Sequence, residues 1–190
     1  MNAGRTEEAG DSGNARDVRI ERLHRPGEAH CLGLARVLIE CVEAGASVGF
    51  MSPLDEPHAL AFWRRIAREA AAGERALFVA QRAGEILGTV QLVLAQPDNQ
   101  PHRADLAKML VRPDCRRLGI GERLLQAAMA AAPALGRHVL LLDTASADAE
   151  RLYERNGWQV VGDVPDFALL PRGGYCRTRF YFHRTAPAPG

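Results

Sequence analysis

Two rhythms of apolar and polar residues take turns along this chain. Val18 to Leu23 is short and reads as a first strand. Pro26-Gly27-Glu28 opens a helix to about Ala44, with Leu32, Ala35, Val37 or Leu38, Ile39 and Val42 on its apolar side. Gly45-Ala-Ser-Val-Gly-Phe-Met51 breaks the helical period; its two glycines and an exposed Phe-Met pair predict a loop with shape requirements of its own. Pro57 starts a second helix to about Ala72, carrying Leu60, Trp63 and Ile66. Two apolar runs, 76–81 and 86–96, are joined by Arg-Ala-Gly-Glu as a hairpin, and 97–101 is a loop. A strand over 105–111 leads to a helix over 119–132 with Ile120, Leu124, Leu125, Ala128 and Met129 on one face. A buried strand over 138–143, a helix over 147–156 stopped by Gly157, and strands over 158–164 and 177–183 complete the order β-α-α-β-β-β-α-β-α-β-β.

Composition narrows the class without naming it. The chain has 190 residues, 47% hydrophobic and 25% charged, with a net charge of +1. That balance is ordinary for a globular domain and offers no general attraction to nucleic acid or anionic lipid. No run approaches the roughly 18–20 apolar residues of a membrane span, and the start lacks the pattern of a secretory signal. The expectation is a cytoplasmic protein, monomer or homodimer, with one domain over 17–184. Polar residues 1–16 and the Pro/Ala-rich 185–190 read as tails. Cys31, Cys41, Cys115 and Cys176 form no metal-ligand pattern, and the six histidines are scattered, so no metal is expected. Cys115 stands just before a basic turn, where positive potential could lower its thiol pKa.

That turn is the most specific feature of the chain. After the strand ending Lys-Met-Leu-Val111 comes Arg116-Arg117-Leu118-Gly119-Ile120-Gly121, and then the Ala/Leu-rich helix. Such a turn offers several backbone N–H groups, and the helix adds its positive dipole end, which suits a phosphate-bearing ligand. A dinucleotide fingerprint would need glycine at position 124, which is Leu124. A P-loop would need Gly-Lys-Ser/Thr, and the only lysine is Lys108, in the preceding strand. Plain turn glycines would be the bland alternative.

The remaining pattern, Arg116-x-x-Gly119-x-Gly121 between strand and helix, resembles the acetyl-CoA motif of the GCN5-related N-acetyltransferase (GNAT) superfamily. The order of elements is also that of the GNAT fold. The resemblance implies an α/β (α+β) protein with a mixed sheet of about seven strands, helices on both faces, and parallel fourth and fifth strands splayed to admit pantetheine. It implies acetyl-CoA as co-substrate, with Met109, Leu110 and Val111 serving the pantetheine arm and Arg116, Arg117, Leu118, Gly119, Ile120, Gly121 and Glu122 the pyrophosphate.

Acetyl transfer to an amine also needs a base and an acid for the leaving thiolate. Asp105 lies eleven residues before Arg116, where many family members place a catalytic glutamate, and Asp143 ends the following buried strand. Either could instead pair with arginine or cap a loop. Tyr153 lies in Ala149-x-x-Leu152-Tyr153-x-x-x-Gly157-Trp158, which is similar to the family's second motif, whose tyrosine protonates the thiolate. Packing alone would also account for a tyrosine there. Ser146 stands where many members carry a cofactor-contacting Asn.

Several further segments look like the tabtoxin-resistance acetyltransferase branch: Gly45 to Met51 with Leu54-Asp55, Arg103-Ala-Asp105, Lys108-Met-Leu-Val111 and Leu142-Asp143-Thr144. That likeness places Ser47, Val48, Phe50 and Met51 in the acceptor pocket. It implies a small amino-acid-like, toxin-like or antibiotic-like amine acceptor, attacked directly in a ternary complex. The alternatives are a protein N-terminal or lysine acetyltransferase and a non-catalytic CoA-binding regulatory module.

Overall fold

A computed structural model describes residues 17–185. The expected tails over 1–16 and 186–190 lie outside the described residues. Thr185, expected to begin the C-terminal tail, is tied into the fold: its N–H donates to the His138 carbonyl at 3.1 Å and its hydroxyl to that of Arg137 at 2.9 Å.

The chain runs β1 (Arg19–Leu23), α1 (Glu28–Glu43), α2 (Glu56–Ala71), β2 (Arg75–Arg82), β3 (Glu85–Val93), β4 (Arg103–Val111), α3 (Ile120–Ala131), β5 (Val139–Thr144), α4 (Ala147–Arg155), β6 (Gln159–Leu169) and β7 (Tyr175–Arg184). One seven-stranded sheet has the order β1-β2-β3-β4-β5-β7-β6. Its β4–β5 pair is parallel and the other pairs are antiparallel. Local chemistry explains the punctuation. Asp55 accepts a hydrogen bond from the His58 N–H at 2.7 Å and caps α2. Ala83 and Gly84, with φ of 49° and 83°, make the tight left-handed turn that suits a two-residue hairpin.

The sheet separates two apolar clusters. Leu34, Leu38, Trp63, Ile66, Leu77, Val79 and Leu110 pack on the α1–α2 face. Leu87, Leu92, Leu106, Leu124, Leu125, Leu140 and Tyr153 pack on the face covered by α3 and α4. A buried arginine, Arg112, ties the end of β4 to the surface through Asp114 at 2.7 Å, Glu40 at 3.3 Å and Glu85.

The last hairpin is longer than its sequence predicts. Register shifts at Val160/Gly162 and Val164/Ala168 carry pairing through Pro165 and Asp166, residues that read as a strand end. On an edge strand a proline costs no ladder bond, and a bulge absorbs the extra residues. The elongated hairpin reaches α1 and the loop that follows it. Ser52 N–H donates to the Pro171 carbonyl at 2.9 Å, and Arg172 Nη2 donates to the Glu43 carbonyl at 3.0 Å.

Candidate active site

The sheet opens in its middle. β4 and β5 pair only over Arg103–Asp105 against Val139–Leu141. Beyond that, β5 continues against β7 to Thr144 and β4 continues against β3 to Val111, so their ends are not joined to each other. The opening exposes backbone groups along Met109 to Val111 to any ligand that can act as a missing strand. The side chains of Met109 and Val111 pack toward the α3 face while Leu110 is buried on the α1–α2 face, so what these residues present along the opening is backbone.

At the end of β4 lies the basic turn. Gly119, with φ of 74°, is the N-cap of α3, and no side chain caps the helix. The first N–H groups of α3 are therefore left for an external acceptor. Arg116, Arg117 and Leu118 are exposed, and Arg117 shares the left-handed conformation with φ of 63°. The glycines differ in their reasons. A Cβ at Gly119 would meet nothing within 4 Å, so backbone conformation selects glycine there; a Cβ at Gly121 would make ordinary contacts with Leu152 at 3.6 Å and Val111 at 3.7 Å. Arg116 Nε donates to the Val111 carbonyl at 3.3 Å, and Cys41 Sγ to the same oxygen at 3.4 Å. Cys115 corrects the expectation of a lowered thiol pKa: burial, then the neighbouring Asp114, pushes it up. Its thiol is a core group.

The three candidate acid–base residues are set differently. Asp105 is held: Arg103 Nη1 donates to it at 2.5 Å and Gln96 Nε2 at 3.1 Å, occupying both carboxylate oxygens. Asp143 has no ion pair among the described residues, although it is accessible at the cleft. The protein packed around it pushes its carboxyl above the ordinary value, Lys108 pulls it back, and Asp105 pushes it up further. Tyr153 is 3% exposed, between Trp158 and Tyr181 with ring centroids 5.8 and 5.9 Å away. Burial, then the charge of Asp143, raises its phenol well above the ordinary value. Its hydroxyl bonds no protein group among the described residues. A phenol that keeps its proton thus stands within electrostatic reach of a carboxylate with elevated proton affinity.

Ser146 is otherwise engaged. Its hydroxyl accepts from the Ala149 N–H at 3.4 Å and caps α4. The expected acceptor loop lies on the α1–α2 side. Ser47 Oγ donates to the Leu169 carbonyl at 3.3 Å, stitching the loop to the long hairpin. Phe50, expected to be exposed, packs edge-on against Phe62 at 5.1 Å and His58 at 5.5 Å, while Met51 is 48% exposed. One residue of this cluster escaped the sequence reading. Lys108 sits at a bulge in β4 with φ of 50°, donates from Nζ to the Val48 carbonyl at 2.7 Å, and lies 5.8 Å from the ring centres of both Phe50 and Phe62. Its signal was the chain's single lysine, set between the apolar residues Ala107 and Met109 of β4.

These features match known proteins. A profile of the acetyltransferase (GNAT) domain covers residues 73–160. An uncharacterised N-acetyltransferase from the hisH–hisA intergenic region of Azospirillum brasilense is 33% identical over 131 residues, 67% of this chain and 75% of its own. The chain belongs to the GNAT superfamily. As a GNAT N-acetyltransferase it is an acyltransferase, and acetyl-CoA is the acetyl donor of its family. The fold is similar to that of YncA, a putative acetyltransferase from Salmonella typhimurium solved with acetyl-CoA, with a TM-score of 0.74 at 18% identity over 92% of this chain and 97% of that one. It is also similar to that of a ribosomal-protein-alanine N-acetyltransferase from Brucella melitensis, with a TM-score of 0.74 at 20% identity over 87% and 99%. Among the described residues no helix is long and apolar enough to cross a membrane, and no cluster of three His, Cys, Asp or Glu could hold a metal.

Proposed function

We propose that this enzyme transfers acetyl from acetyl-CoA to the primary amine of a small amino-acid-like, toxin-like or antibiotic-like molecule, by direct attack in a ternary complex. The observation that carries the small-acceptor reading is the long β6–β7 hairpin bonded across the α1–α2 loop through Ser47, Ser52 and Arg172. Such a strap favours a bounded pocket over the open groove that a polypeptide needs. The four cysteines are free thiols, which suits work in a reducing cytoplasm.

The co-substrate supplies an activated acetyl group with a thiolate as leaving group. The β4 backbone from Met109 to Val111 borders the opening that takes its arm, with the Val111 carbonyl already accepting from Arg116 and Cys41, and the uncapped start of α3 with Arg116 and Arg117 meets its pyrophosphate. Asp143 accepts the proton that the attacking amine sheds, directly or through water, as the new C–N bond forms. Tyr153 gives its proton to the sulfur as the C–S bond breaks. Asp105, engaged by Arg103 and Gln96, supports the negative field that favours an ammonium acceptor and raises the proton affinity of Asp143. Ser47, Val48, Phe50 and Met51 bound the acceptor.

A thiol-release assay with acetyl-CoA against amino acids, polyamines, aminoglycosides and peptides tests this reading. Turnover with small amines supports it. Turnover confined to peptides or proteins replaces it with a protein acetyltransferase, and acetyl-CoA binding without any turnover leaves a CoA-binding module.

A further inference from the structure

The small-amine reading uses Asp143 as its base but leaves the opposite charge on the neighbouring strand, that of Lys108, without a role. Lys108, from the bulge in β4, and Asp143, from β5, interact electrostatically without forming an ion pair. Neither makes an ion pair with any other described residue.

The setting of Lys108 is that of a cation kept at a fixed point. Gly49, with φ of 85°, turns the loop backbone beside the ammonium, and a Cβ there would lie 3.6 Å from Nζ. The preceding carbonyl, that of Val48, takes one N–H at 2.7 Å. The faces of Phe50 and Phe62 flank the ammonium, an arrangement that favours the charged form. An ammonium has three N–H donors, and the other two find no acceptor among the described residues. Burial pushes the Lys108 ammonium below its ordinary pKa, the charge of Asp143 pulls it back up, and the other charges that act on it, those of Arg75 and Arg65, push it down further. Among the described residues, no carboxylate bonds Lys108 and no cation pairs with Asp143, although the two charges act on each other.

We propose that Lys108 is a specificity-determining residue that binds a carboxylate of the acceptor, so that the preferred acceptor is a small zwitterion with its carboxylate on Lys108 and its amine toward Asp143. This rests on the small-amine reading and sharpens it. A zwitterion satisfies both charges at once; a polyamine would repel Lys108, and an amide of the same amino acid would leave the ammonium without an anion. Lys108 also ties the Val48–Gly49 loop to the sheet, so closure of the pocket and recognition of the acceptor pass through one side chain.

Because Lys108 is the only lysine in the chain, lysine labelled with 13C at the ε-carbon gives one side-chain resonance to follow. The probes are the twenty L-α-amino acids, their α-carboxamides, polyamines and short peptides, each tested for acetyl-CoA-dependent thiol release and for a shift of that resonance. We expect at least one amino acid to be acetylated with kcat/KM about tenfold or more above its carboxamide, and to shift the Lys108 signal saturably while the carboxamide does not. In Lys108→Met the acid-to-amide ratio should fall to within about threefold; Lys108→Arg should keep most of it.

Acids and amides used equally well by the wild type would overturn carboxylate recognition and leave the small-amine enzyme standing. Equal losses on acids and amides in Lys108→Met would make the lysine a loop support only, which also overturns it. Acetylation of peptides alone, with a stationary lysine resonance, would sink the small-amine reading together with this one. If Lys108→Met does not fold, the wild-type ratio and titration decide.

Discussion

Asp143 and Asp105 are two aspartates at one cleft with different partners, and partners decide their chemistry. Asp105 has both oxygens occupied, whereas Asp143 makes no ion pair among the described residues and has its proton affinity raised by its surroundings. Asp143→Asn should lower kcat/KM by about 10²–10⁴ in a thiol-release assay, the usual scale of general-base participation. Asp105→Asn should cost less than about tenfold. Stability gives an independent check on Asp143. Its native pKa lies above the ordinary value of 3.8, so between the two the folded state holds a proton that the unfolded chain has released. Stability then falls as pH rises through that window, and the penalty is complete above the native value. Asp143→Asn should therefore melt no lower than wild type at neutral pH, and any advantage should vanish below about pH 3.8. A variant that is less active yet equally or more stable is the mark of a functional carboxylate. A Tm lowered at neutral pH would contradict it.

The strand–turn–helix unit was legible because its signals are local. An apolar run, Gly119 and Gly121 after two arginines, and an Ala/Leu helix lie within one short stretch, so periodicity and turn chemistry sufficed. Asp143 and Tyr153 were singled out from a strand end and from a helix motif, both local signals. The long hairpin was not legible, because Pro165 and Asp166 read as a strand end until the edge position and bulges permit pairing. The Ser47–Leu169 contact joins residues 122 positions apart, and no local pattern encodes it. Lys108 was visible as a residue but not as a site, since Val48, Phe50 and Phe62 reach it only through tertiary packing. The turn itself is tested best at Gly121, where an added Cβ makes only ordinary contacts. Gly121→Asp should stay folded by circular dichroism yet lose measurable acetyl-CoA affinity by calorimetry. Gly119→Asp would add strain of roughly 1–2 kcal/mol from its left-handed backbone and test the turn less cleanly. Unchanged affinity in folded Gly121→Asp would remove the pyrophosphate site from this turn.

At the scale of the whole molecule, the splay between β4 and β5 connects two compartments. In the proposed reading, the donor end is formed by the turn and α3, and the acceptor end by the α1–α2 loop beneath the long hairpin. Changes in the strap should therefore act on one substrate. Ser47→Leu or Arg172→Ala should raise the acceptor KM several-fold while leaving acetyl-CoA affinity within about twofold, since neither residue touches the donor turn and distant sites perturb independently. Parallel changes in both affinities would make the loop a support for the whole cleft. In the proposed mechanism the chemistry falls where the compartments meet, at Asp143 and Tyr153. The most direct measurement is kcat for thiol release by Tyr153→Phe at saturating acetyl-CoA and acceptor, with acetyl-CoA affinity measured on the same protein. A loss of about 10²–10⁴ in kcat with unchanged acetyl-CoA binding is expected if the buried phenol protonates the departing thiolate. A loss below about threefold would return Tyr153 to the core and contradict acid catalysis at the splay.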